Sequence, residues 1–183
     1  MINKIHILGA SGSGTTTLAS ELCKQLGFKH LDTDNYFWED TDPKFMEKRP
    51  VEDRLRLIRQ EITHNKKWIL SGSLCGWGDP LIEEFDLVIF LRIPKEVRLS
   101  RLYEREVQRY GDKIQEGKSW YEKHVEFMDW ASQYDDGDTT VRSLKLHNEW
   151  LERVGCDVLR IEGAIEIDEK IDLVKKFIRD KKR

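Results

Sequence analysis

Apolar residues along this chain fall into two patterns. Short compact runs occupy residues 5–8, 28–31, 68–70, 87–91 and 158–161, and longer stretches between them repeat apolar positions every three or four residues. Compact apolar runs of this length read as buried strands, and the three-to-four repeat reads as amphipathic helix. Leu18, Leu22 and Leu26 mark a helix over residues 16–26, which Gly27 closes. Leu55, Ile58 and Ile62 mark a second after Pro50, over residues 51–64. A charged helix follows Pro94 over residues 95–109, and a last one covers residues 167–178. The run Leu87-Val88-Ile89-Phe90-Leu91 is apolar at every position, as a strand covered on both faces must be.

Strand and helix therefore alternate, which predicts an α/β fold: a three-layer αβα sandwich around a five-stranded parallel sheet. Two stretches do not fit that alternation, one after the second strand (residues 35–64) and one near residues 110–145, rich in Trp, Asp and Gly. Insertions of this length in a compact domain are usually binding flaps or covers. They are expected to be an acceptor-binding insertion and a lid within one domain over residues 1–183.

Composition narrows the function classes. Of 183 residues, 39% are hydrophobic and 36% charged, which suits a globular chain. The net charge of -3 argues against non-specific nucleic-acid binding. Cys23, Cys75 and Cys156 form no CxxC pair, no stretch has the apolar length of a membrane span, and the N-terminus lacks a signal-peptide pattern. The expectation is a cytoplasmic, reduced setting without a membrane partner.

The chemistry starts at the end of the first strand. Gly9-Ala10-Ser11-Gly12-Ser13-Gly14-Thr15-Thr16-Thr17 matches the phosphate-loop pattern G-x-x-x-x-G-K-[ST] at both glycines and the final hydroxyl, with a strand before it and a helix after it. Glycines let successive backbone N–H groups turn inward, and the helix start adds positive potential. Thr16 offers a hydroxyl to Mg²⁺. Thr15 stands where lysine belongs, so another cation must meet the transferring phosphoryl group, or turnover is low. Downstream, Asp32-Thr33-Asp34 follows the second strand, at the sheet edge where open α/β folds bind ligands. Arg101 and Arg105 lie four apart on the helix after Pro94, where a solvated charged face is the plain alternative.

Together these motifs resemble the P-loop small-molecule kinases of the adenylate-kinase and shikimate-kinase type. Asp32-Thr33-Asp34 is similar to the D-T-D motif of shikimate kinases. The resemblance implies that Asp32 with Thr16 holds the metal and that Asp34 orients or deprotonates the acceptor. Arg101-Leu102-Tyr103-Glu104-Arg105 resembles the lid entry of adenylate kinases, which implies Arg101 on the base of the nucleotide and Arg105 on the phosphates. The turn at Gly163 resembles the one that backs the adenine. The implied cofactors are ATP and Mg²⁺, the partners a nucleoside triphosphate and a small-molecule acceptor. Trp38 and Trp77 are expected to line the acceptor pocket, and His124 and His147 to be surface or core residues. The implied activity is γ-phosphoryl transfer to a nucleotide or hydroxyl metabolite. The rival is a nucleotide-binding regulator or ATPase of low turnover, which Thr15 favours.

Overall fold

The computed structural model describes residues 1–181. Five strands, β1 (Lys4–Gly9), β2 (Lys29–Asp32), β3 (Trp68–Ser71), β4 (Leu87–Arg92) and β5 (Asp157–Glu162), form one sheet in the order β2-β3-β1-β4-β5. Every pairing is parallel. Side chains alternate across the sheet. Ile5, Ile7, Leu87, Ile89 and Leu91 face one layer, and Leu8, Val88 and Phe90 the other. This two-sided burial is why the strands read as unbroken apolar runs.

Helix α1 (Thr15–Leu26) covers the first face with α7 (Ile167–Asp180), through Leu18 and Leu22 against Ile171 and Val174. Leu18 and Leu22 are fully buried, and each contributes roughly 2 kcal/mol by removal from water. The second face packs against Ile58 of α3 (Val51–His64) and Trp150 and Leu151 of α6 (Leu144–Glu152). The result is the expected three-layer sandwich.

The two insertions carry more regular structure than their patterns suggest. The first opens with a single helical turn, α2 (Asp34–Phe37), and folds back through a bridge between Trp38 and Lys48 before α3. The second follows α4 (Lys95–Tyr110). It contains a short 3-10 turn (Gly111–Ile114) and α5 (Tyr121–Ser132), and runs on into α6. Helix α5 buries only His124 and Ala131, too few positions to leave a periodic stripe. Arg98 on α4 is almost fully buried; its Nε donates to the Ile93 carbonyl at 3.1 Å, and it pairs with Asp135 beyond α5. That pair anchors the second insertion to the sheet. No helix among the described residues is long and apolar enough to cross a membrane.

Candidate active site

In a parallel sheet all carboxyl ends lie along one edge. The loops after β1, β2, β3, β4 and β5 therefore share that edge, and neighbouring strands β1 and β4 feed connections running in opposite directions, which opens a crevice between them.

The loop after β1 is built for close backbone approach. A Cβ at Gly9 would lie 2.6 Å from the Leu91 carbonyl oxygen of β4, and one at Gly12 would lie 2.6 Å from the Arg98 carbonyl oxygen of α4. Both positions exclude any side chain. Gly14 adopts φ 87 with nothing within 4 Å of its absent Cβ, so the loop opens there onto free space. It also starts α1 without a side-chain cap, which leaves the first backbone N–H groups of the helix without an intrahelical partner. The loop thus offers an uncapped helix start beside a vacant volume. Ser13 Oγ is buried without a partner beside it.

The loop after β2 meets this loop directly. Thr16 Oγ1 donates to Asp32 Oδ2 at 2.9 Å, and the other Asp32 oxygen accepts the Asp34 backbone N–H at 3.0 Å. Two oxygen donors of this type suit a hard cation such as Mg²⁺, with phosphate and water oxygens completing its shell. Among the described residues no cluster of three or more His, Cys, Asp or Glu competes for a metal. Asp34 opens α2 and is accessible to solvent, yet protein surrounds it on several sides. That desolvation, with the Asp32 charge beside it, raises its pKa above the usual carboxylate range, while Arg142, Arg105 and Arg109 pull the other way. A carboxylate shifted upward is a better proton acceptor.

Helix α4 supplies cations at one-turn intervals. Arg101 Nη1 approaches the Gly12 carbonyl oxygen at 3.5 Å, at the phosphate loop. Arg105 lies one turn on, facing Asp34, with its Nε buried and unpartnered. Burial holds its guanidinium below its ordinary pKa, and Arg109 adds repulsion. Gly163 ends β5 with φ 90, its N–H donating to the Arg92 carbonyl at 2.9 Å. It is therefore on the same edge as the phosphate loop.

Other residues prove to be framework. Trp77 is buried, its Nε1 donating to the Ser73 carbonyl at 3.1 Å, and Arg54 stacks 3.9 Å over Phe37. His147 is core: its Nδ1 lies 2.8 Å from Tyr134 Oη and its Nε2 3.1 Å from Ser73 Oγ. Burial, with the nearby Arg142 charge, pushes its pKa down to about 3, so it stays neutral. His124 is also buried, 3.6 Å from Glu106. The sequence reading passed over Arg109 and Arg142. Arg109 continues the four-residue spacing of Arg101 and Arg105, and that stripe could have flagged it. Arg142 sits in a loop with no periodicity to reveal it.

Known proteins resemble this chain in sequence and in fold. The AAA domain family model AAA_18 matches residues 5–129. The uncharacterized protein YqaC of Bacillus subtilis (strain 168) is 49% identical over 97% of this chain and 98% of its own length. A cytidylate kinase of Pyrococcus abyssi is 33% identical, over 56% of this chain and 60% of the kinase. A shikimate kinase of Acinetobacter baumannii, solved with shikimate, superposes with TM-score 0.59 over 100% of this chain and 96% of its own, at 19% identity, and so shares the fold.

Proposed function

The chain belongs to the AAA_18 family of AAA domains, and from that premise we propose that it is an ATP-dependent small-molecule kinase. The observation that carries this reading is the Thr16–Asp32 contact, which brings the phosphate loop and the Asp32-Thr33-Asp34 turn to one point. The backbone of residues 9–17 holds the triphosphate of ATP, and Arg101 and the Gly163 turn flank the base. Mg²⁺, held by Thr16 and Asp32, would neutralise part of the phosphate charge. The acceptor hydroxyl attacks the γ-phosphorus in line, the bond from that phosphorus to the β–γ bridging oxygen breaks, ADP leaves, and the hydroxyl proton passes to Asp34. Arg105 closes on the group in transit. Most of the rate comes from positioning and charge neutralisation.

Gly14→Val tests the nucleotide site. A β-branched residue at φ 87 is strained, and its side chain enters the open volume where phosphate must lie. Calorimetry with ATP and Mg²⁺ should show affinity reduced about 10- to 100-fold, on the scale of that strain. Unchanged affinity in a folded variant removes the phosphate-loop reading.

Asp32→Asn tests the metal pair. It keeps the shape of the turn but removes charge beside Thr16. The gain in ATP affinity that Mg²⁺ confers should shrink about tenfold. An unaltered Mg²⁺ dependence would make Asp32 only the cap of α2.

Thr15 in the lysine position favours a second reading, a nucleotide-binding regulator of low turnover. ATP consumption measured with and without a panel of small acceptors separates the two.

A further inference from the structure

A lysine is almost never fully buried unless it is paired, because a buried ammonium loses its hydration. Lys170 on α7 departs from that rule. It is 5% exposed and is the one buried lysine among the described residues. Its side chain makes no hydrogen bond and no ion pair among them. Its amine is not one of the wholly enclosed polar atoms, so the stem is covered while the tip stays open.

The acidic groups nearby leave this charge unmatched. Glu166, one helical turn before Lys170, is exposed and forms no ion pair with it. Asp168 and Glu169 in the first turn of α7 are exposed as well, and Glu162 at the end of β5 lies 3.7 Å from Arg92. The other charge close to Lys170 is a second cation, Arg101. Burial holds the amine below the usual lysine range, Arg101 adds to that, and Glu166 opposes it.

The fold fixes where the amine lies. Helix α7 begins just past the Gly163 turn, at the carboxyl edge of the sheet, and packs along α1. Ile171, the next residue, shares a core cluster with Leu18 near the start of α1. Lys170 is therefore level with the beginning of α1. A helical side chain leans toward the N-terminus of its own helix, which here carries the amine toward the edge that bears the phosphate loop. Space is open along that edge: a Cβ at Gly14 or at Gly163 would meet nothing within 4 Å. Arg101 comes to the same loop from α4, its Nη1 3.5 Å from the Gly12 carbonyl oxygen.

Sheet order selects the ligand group. Strand β1 with its loop is central; Asp32 and Asp34 follow β2 on one side, and Gly163 and α7 follow β5 on the other. The Thr16–Asp32 contact puts the metal, and with it the β and γ end of a triphosphate, on the β2 side. The α end then faces β5 and α7. We propose that Lys170 is a nucleotide-binding residue whose amine meets the α-phosphate, the anion common to nucleoside mono-, di- and triphosphates. This rests on the kinase reading above and adds a phosphate contact from outside the glycine loop.

Calorimetry on the full chain with adenosine, AMP, ADP and ATP, in the presence of Mg²⁺, tests it. Lys170→Met keeps the length of the stem and removes the charge. It should weaken AMP, ADP and ATP by one common factor of about tenfold and leave adenosine unchanged. The thermal midpoint without nucleotide should hold or rise, since an unpaired buried charge is costly to the fold. Loss confined to ATP would make Lys170 a γ-phosphate contact, and equal loss for adenosine and AMP a contact to the base. Unchanged affinity for all four would leave it a covered stem with a solvated tip. Each of these results overturns the proposal, as does a lowered midpoint with affinities intact. If Lys170→Met does not fold, Lys170→Gln, polar but uncharged, decides by the same comparison. Failure of the unaltered chain to bind ATP is a separate result; it sinks the kinase reading and this proposal with it.

Discussion

Asp34→Asn is expected to lose acceptor-dependent turnover by about 10³-fold, within the range for removal of a positioned general base. Affinity for ATP and Mg²⁺ should stay unchanged, since the Thr16–Asp32 contact lies on the other side of the turn. The substitution keeps the backbone N–H that Asp32 accepts, so α2 should persist. Stability gives an internal control. The raised pKa of Asp34 means that the folded chain binds its proton more tightly than the unfolded chain does. The contribution of this group to stability is therefore greatest at low pH and falls as pH rises through the shifted pKa. Asparagine resembles the neutral form, so on this account the thermal midpoint near pH 7 should not fall. The same shift places the acid limb of the kcat/KM profile above the ordinary carboxylate range. Steady-state kinetics across pH, with nucleotide calorimetry, check both points. Normal turnover in the variant would make the Asp32–Asp34 turn structural.

Arg105→Ala is the second large effect. A phosphoryl group in transit spreads charge over three oxygens, and the phosphate loop has Thr15 where a cation would stand. Arg105 Nε is buried without a partner, and its guanidinium faces Asp34. A charge poised in a partly desolvated site acts more strongly than one in water. Removing it should cost about 10²- to 10³-fold in kcat, with little change in ATP affinity, because the contact is made chiefly in the transition state. Arg101→Ala should do the reverse and chiefly weaken ATP, since Arg101 is at the loop itself. Thr15→Lys returns a cation to the loop and should recover part of what Arg105→Ala loses. The two single variants and the double variant, compared by kcat and KM, test this. A wild-type rate in Arg105→Ala would leave these arginines as a charged helix face and favour the low-turnover regulator.

Local order along the chain was legible because each element carries its own pattern. The apolar runs at 87–91 and 5–8 announce strands buried on both faces, and the structure pairs them, Ile5 with Leu87 and Ile7 with Ile89. Gly9, Gly12 and Gly14 are adjacent in sequence and mark a tight loop by residue type alone, and Asp32 and Asp34 are likewise neighbours. Helix α6 was legible too, though passed over: Ser143 caps it by accepting the Leu146 N–H at 3.1 Å, and Leu144, His147, Trp150 and Leu151 repeat at helical spacing.

Long-range convergence was not legible. Sequence by itself determined the alternation of strands and helices, the glycine loop and the carboxylate pair, because backbone conformation and burial period depend on near neighbours. Tertiary structure decided which cations meet Asp34. Arg142 lies more than a hundred residues from Asp34 and feels its charge from the second insertion, which the Arg98–Asp135 pair fastens to α4. Whether a charged residue is solvated or turned into a pocket depends on what packs against it, and no local pattern records that. Arg98 and Arg105 illustrate the point: both lie on α4, one locked to Asp135 as framework and the other left unpaired beside Asp34.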